Sequence, residues 1–176
     1  MDGLIEYTIP IKGLGNGTHV FQFEVDRQFF QQFEQSPVED GNLKVKLTFE
    51  KRPELYELTF AFAGSVLTDC DRCLEAIHLP ISDEQQLIVK FSSEEDMEEE
   101  AEVIYISPEA KQLNVARYIY EFICLAIPMI KVYDCQREEV PPCNPAMLKY
   151  LEASEEEAPK SENPIWDQLK DLNLEN

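Results

Sequence analysis

Apolar and polar residues alternate most cleanly where Leu43, Val45, Leu47 and Phe49 are separated by Lys44, Lys46 and Thr48. A period of two marks a strand with one buried face. Lys51-Arg52-Pro53-Glu54 turns the chain, Leu58, Phe60 and Phe62 resume the alternation, and Val66-Leu67-Thr68 follows a loosening at Gly64. Two earlier strands are predicted, Leu4–Ile9, stopped by Pro10, and Thr18–Val25. Asp26 suits the N-cap of a short helix that places Phe29, Phe30 and Phe33 on one core-facing side and ends at Ser36-Pro37. Returning strands are expected at Leu74–Ile81 and Gln86–Phe91, broken by Ser82-Asp83-Glu84, and a buried strand at Val103–Ile106.

From Leu113 to Ala126 the spacing becomes helical: Val115, Tyr118, Ile119, Phe122, Ile123 and Ala126 form one stripe, and Pro128 ends it. Cys124, inside this helix, reads as a small core hydrophobe. Pro145–Leu151 suits a short helix, and Ile165, Trp166, Leu169 and Leu172 give the terminal segment an apolar face. Short connections favour antiparallel pairing over helix-bridged parallel strands. The expected fold is therefore α+β: a mostly antiparallel sheet with one or two packed helices, and a short C-terminal helix on an acidic linker. One domain should cover residues 1–152, the linker 153–163 and the amphipathic tail 164–176.

Charge narrows the choice of partners. Thirty-five acidic against 15 basic side chains leave a net charge of -20 over 176 residues. Such a field repels phosphate backbones and acidic lipids and attracts basic proteins, so DNA and membrane surfaces are poor partners. Seven of the nine residues in Glu94–Glu102 are acidic, which predicts a solvated excursion between strands and, secondarily, a docking site for a basic partner. The first residues lack a basic stretch leading into an apolar run, and no window has the length of a membrane span, so a cytoplasmic protein is expected.

Candidate chemistry centres on the cysteines. Cys70 and Cys73 sit in Thr68-Asp69-Cys70-Asp71-Arg72-Cys73-Leu74-Glu75, between two strand-like segments. In a reducing compartment, five cysteines, an odd number, argue against a disulfide framework. A C-x-x-C turn supplies half of a tetrahedral zinc site, and Cys135 and Cys143 are the candidates for the other half, with His19 and His78 as weaker substitutes. A dithiol redox centre ordinarily lowers its thiol at a helix N-terminus, which strands do not provide. Arg72 reads as a local neutraliser of Asp69 and Asp71, or as a donor to a phosphate. No phosphate-binding glycine loop, G-x-S-x-G or H-E-x-x-H is present, so no enzyme is expected.

Three segments in order carry a resemblance: Cys70-Asp71-Arg72-Cys73; Glu121, Leu125 and Pro128 in E-x-x-x-L-x-x-P, followed by Val132-Tyr133-Asp134; and Asn163-Pro164-Ile165-Trp166-Asp167-Gln168-Leu169. Together they resemble the bacterial YceD-like family. The resemblance implies a non-catalytic cytosolic factor in large ribosomal subunit biogenesis that supports 23S ribosomal RNA processing, stability or accumulation. Arg72, Glu121 and Trp166, which lie in these segments, are the candidate partner contacts. The chain departs from the family pattern by ending Lys170-Asp171-Leu172-Asn173-Leu174-Glu175-Asn176 instead of in several lysines. Without a basic stripe, the expected partner is a ribosomal protein or pre-ribosomal large subunit, with 23S RNA touched only locally near Arg72. Two rival readings remain: an acidic chaperone that shields a basic ribosomal protein without contacting RNA, and a thiol redox enzyme using Cys70 and Cys73.

Overall fold

The structure is a computed structural model that describes residues 2–92, 102–134 and 142–157. Its centre is a five-stranded sheet in the order β2-β3-β4-β5-β6, built from Gly17–Val25, Gly41–Lys51, Leu55–Asp69, Ala76–Phe91 and Val103–Ile106. A second, two-stranded sheet joins β1 (Thr8–Ile9) to β7 (Leu113–Asn114). Three helices complete the described residues: α1 (Arg27–Phe30), α2 (Ala116–Leu125) and α3 (Pro145–Glu157). This is the α+β architecture that the alternation predicts.

One face of the large sheet is buried because most of its alternate residues are apolar. Leu43, Val45, Leu47 and Phe49 of β3 lie beside Leu58, Phe60 and Phe62 of β4 and the odd-numbered apolar residues of β5. Tyr7, Phe29, Phe30, Ile119, Phe122 and Ile123 close over that face. Phe60 meets Phe122 with ring centroids 5.3 Å apart, joining the sheet to α2, and Phe33 stacks on Tyr120 of α2 at 3.9 Å. Asp26 caps α1 as its sequence position suggests, its Oδ1 accepting from the N–H groups of Gln28 and Phe29 at 2.9 and 3.1 Å.

Four expectations need correction. The predicted strand Leu4–Ile9 is a 3-10 turn over Asp2–Tyr7 with only Thr8–Ile9 extended, since a strand needs a partner ladder and β7 offers two residues. The helix expected from Leu113 begins at Ala116, because Leu113–Asn114 serve as that ladder and the Asn114 side chain then accepts from the Ala116 N–H at 3.0 Å. The break at Ser82-Asp83-Glu84 does not occur: these residues pair with Ala63, Phe62 and Ala61, making β5 a single 16-residue strand. Finally, β6 joins β5 in parallel, Ile88 opposite Val103, so short connections give antiparallel pairing only from β2 to β5. Residues 93–101, most of the acidic run, lie outside the described residues.

Helix α3 runs past the expected Leu151 to Glu157, starting from an Asn144 side chain that accepts from Ala146 and Met147. No described helix is long and apolar enough to cross a membrane.

Candidate binding site at the cysteine turn

Strands β4 and β5 carry the chain to a hairpin end at Asp69 and Ala76, and Cys70 to Glu75 form the loop between them. Within it the Cys70 N–H donates to the Glu75 carbonyl at 2.9 Å and the Leu74 N–H to the Cys70 carbonyl at 2.8 Å. Closing so tight a loop takes one residue with positive φ, and Leu74 supplies it at 58°. A branched L-residue pays roughly 1 kcal/mol or more for that conformation. Its side chain recovers little of this by burial, being 69% exposed.

Both cysteines of the turn point inward, are fully buried, and are free thiols. Burial pushes the Cys70 thiol up, but backbone donors from Tyr133, Cys73 and Arg72, together with the Cys73 side chain, outweigh it and lower the thiol below its usual range.

The donor Tyr133 belongs to a strap, residues 128–134, that follows α2 and lies along the turn. Asp71 ties it down: the Asp71 N–H donates to the Lys131 carbonyl at 2.7 Å, and the Lys131 N–H donates to the Asp71 carboxylate at 2.6 Å. The Lys131 ammonium stands 3.8 Å from the same carboxylate. Asp71 is thus neutralised by Lys131, which replaces the role expected for Arg72. The turn, the end of α2 and the strap expose Leu74, Leu125, Met129, Ile130 and Val132. Beside them lies a cleft of about 290 Å³ whose lining includes Glu39, Thr68, Asp69, Ala76 and Lys131.

The remaining predicted residues are scattered. Arg72 is exposed on the turn, and Glu121 is half-buried on α2, where it accepts from Arg117 Nε at 2.7 Å. Cys124, also on α2, is half-buried, and burial pushes its thiol up. Trp166 and Cys135 lie outside the described residues. Cys143 is buried in the same apolar cluster as Cys70 and Cys73. It is also disulfide-bonded, against the expectation that disulfides are absent. The parity of five cysteines excludes complete pairing and leaves room for a single bond. Among the described residues, no group of three or more His, Cys, Asp and Glu side chains is placed to hold a metal ion. His19 instead bonds the Gly15 carbonyl at 2.9 Å, and His78 is exposed on β5.

Sequence reasoning marked Val132-Tyr133-Asp134 as part of the resemblance but assigned the strap no place against the turn. Its signal was Met129-Ile130-Lys131-Val132, an apolar-rich stretch with neither helical nor strand periodicity, straight after a helix-ending proline.

A family model described as Large ribosomal RNA subunit accumulation protein YceD matches residues 58–173, from β4 through the turn, α2 and α3. Neither a curated protein nor a solved structure matches the chain.

Proposed function

The chain belongs to the YceD family, and from that premise we propose that it is a non-catalytic factor of large ribosomal subunit biogenesis that supports 23S ribosomal RNA accumulation by holding a basic ribosomal protein on the precursor. Family membership supports the role in large-subunit biogenesis. The binding mode rests on one observation: Leu74 keeps a strained backbone while exposing its side chain next to a strap that exposes Met129 and Ile130. Strain without compensating burial is a feature of recognition surfaces, where a partner supplies the missing contact.

Charge favours a basic protein as that partner. At a net charge of -20 the chain has no general attraction for RNA, whereas Glu39 and Asp69 in the adjoining cleft suit a lysine or arginine next to an apolar anchor.

Two measurements test this. Depletion of the protein followed by subunit profiling should give a selective deficit of large subunits; normal profiles would remove the biogenesis role. Capture of cellular partners on the purified chain, with and without nuclease, should retain a basic ribosomal protein in both cases, and Met129→Asp together with Ile130→Asp should release it. Capture that disappears with nuclease, or that survives the double substitution, counts against this face.

A further inference from the structure

We propose that the outer edge of β2 is a joint at which a second copy of this chain adds its own β2, so that two large sheets run together about a two-fold axis at Phe21.

The ladders determine which backbone groups β2 leaves unused. Just past the β3–β4 pairing, the Leu67 N–H donates to the Asp40 carbonyl at 2.8 Å, and this pair continues the register in which Gly41 faces Val66. Along an antiparallel strand, residues that exchange hydrogen bonds with the neighbour alternate with residues that do not. Even-numbered residues of β3 therefore bond β4, and odd-numbered residues bond β2. The latter face the odd-numbered residues of β2, so the N–H and C=O groups of Thr18, Val20, Gln22 and Glu24 are directed away from the sheet. The Tyr7 hydroxyl agrees with this parity by donating to the Glu24 carbonyl at 2.7 Å. Among the described residues, no hydrogen bond from beyond the sheet reaches the rest of the row.

An open row of this kind is a template for another strand unless shortness, Lys, Pro or a bulge blunts it. The β2 strand is nine residues long and contains no Lys, Arg or Pro, and its pairing with β3 runs without a bulge. At the opposite edge of the sheet, β6 has only four residues. Val20 is 54% exposed, and Phe21 and Phe23 are only half-buried on the core side. A cleft of about 400 Å³ along Phe21–Glu24, walled by Glu6, Tyr7 and Thr8, leaves room beside the row.

Two observations select a second copy over a foreign strand. The first is register. A two-fold axis at Phe21 sets Thr18 against the partner's Glu24 and Val20 against the partner's Gln22. It is the one symmetric register in which all four outward-directed residues find an outward-directed partner. Phe21 then meets its own copy at a position without hydrogen bonds, where side chains stand closest. The second observation is charge. The clefts flanking this edge are lined by Glu6 and Glu24 and, opposite in sign, by Lys44 and Lys46. On a chain of net charge -20, such balanced ground lets two copies meet with little repulsion and gives a basic peptide little to hold. The joint engages far fewer than the about 20–30 residues a side of a standard interface, so the dimer is reversible.

The test uses the full chain. Sedimentation should show a monomer–dimer equilibrium that depends on concentration, and the Val20 and Gln22 amides should gain protection from hydrogen exchange as the dimer forms. Val20→Pro deletes an outward N–H and leaves the β3 ladder intact, since edge strands tolerate proline. It should weaken the dimer about tenfold or more, because each copy loses a bond. Should that variant fail to fold, Val20→Lys, which keeps the backbone and adds a charge at the edge, should weaken the dimer in its place. Mixed Thr18→Cys and Glu24→Cys chains should cross-link on mild oxidation, beyond the background of the parent, where neither chain does so alone. A parent chain that stays monomeric at the highest soluble concentration overturns the joint. So does a monomer whose edge amides are already protected by the chain itself, or become protected only when a basic peptide is added. A dimer indifferent to both Val20 substitutions lies elsewhere and also overturns it. None of these readouts depends on ribosomes, so the joint and the biogenesis role can fail separately.

Discussion

The β4–β5 hairpin is held in different ways at its two ends. Over the body, Phe60 and Phe62 lie in a face where most alternate residues of three adjacent strands are buried, and α2 packs on it through Phe122. At the tip, a few backbone bonds and one carboxylate hold the loop and strap, and several large apolar side chains stay in water. The body is stabilised by many interchangeable contacts, so its identity is a matter of pattern. The tip depends on particular atoms, so its identity is a matter of chemistry, and it can be altered while the body stays folded.

The largest effect should come from Phe60→Ala, which removes a fully buried ring and should cost about 3–5 kcal/mol in urea unfolding. A loss as small as that of a tip substitution would break the contrast. Next is Gly64→Ala. A Cβ there would run into the Asn42 carbonyl and approach the Leu43 Cα to 2.6 Å, with φ at 159°, and the resulting strain should cost about 1–3 kcal/mol. Protection of the Leu43 and Val66 amides from hydrogen exchange should fall with it.

Alkaline titration probes the body independently. Burial, then the charges of Glu6 and Asp26, raise the Tyr7 phenol well above its ordinary value of 10.0, and its hydroxyl donates to the Glu24 carbonyl at 2.7 Å. The folded state keeps this proton at pH values where the unfolded chain has lost it. Stability is therefore whole below pH 10.0 and declines above it, by up to about 1.4 kcal/mol per pH unit for this group. Burial raises Tyr56 and Tyr120 in the same direction. Tyr7→Phe should flatten the slope, and an unchanged slope would show that the other phenols set it.

The smallest effect has the opposite sign. Leu74→Gly relieves the positive φ and should raise stability by up to about 1 kcal/mol. Partner capture should weaken at the same time. If stability and binding rise together, the tip is merely a strained loop.

The body was legible in the sequence because burial writes itself as period. The alternation from Leu43 to Phe49 and the stripe from Val115 to Phe122 both landed on core-facing positions. What failed was partnership. Nothing in Leu4–Ile9 shows that only two residues find a strand, nor that Ser82-Asp83-Glu84 stay paired because Ala61–Ala63 lie opposite. At the candidate site the cysteine turn was legible from its spacing. The strap was not, because its position comes from a contact between residues 60 apart, Asp71 with Lys131, and an exposed apolar run looks like an error until its neighbour is known. The disulfide at Cys143 was missed because a reducing compartment and an odd cysteine count were taken to argue against a disulfide framework.

The small β1–β7 sheet has a consequence for the order of assembly. Ile9 pairs with Leu113, and the Asn114 side chain reaches back to the Leu4 carbonyl across 110 residues. A chain under synthesis carries Ile9 without its strand partner until Leu113 has been added. Such late closure of a distant contact is slow. A protein that assists the making of ribosomes thus holds its own first turn unfinished for about two thirds of its synthesis.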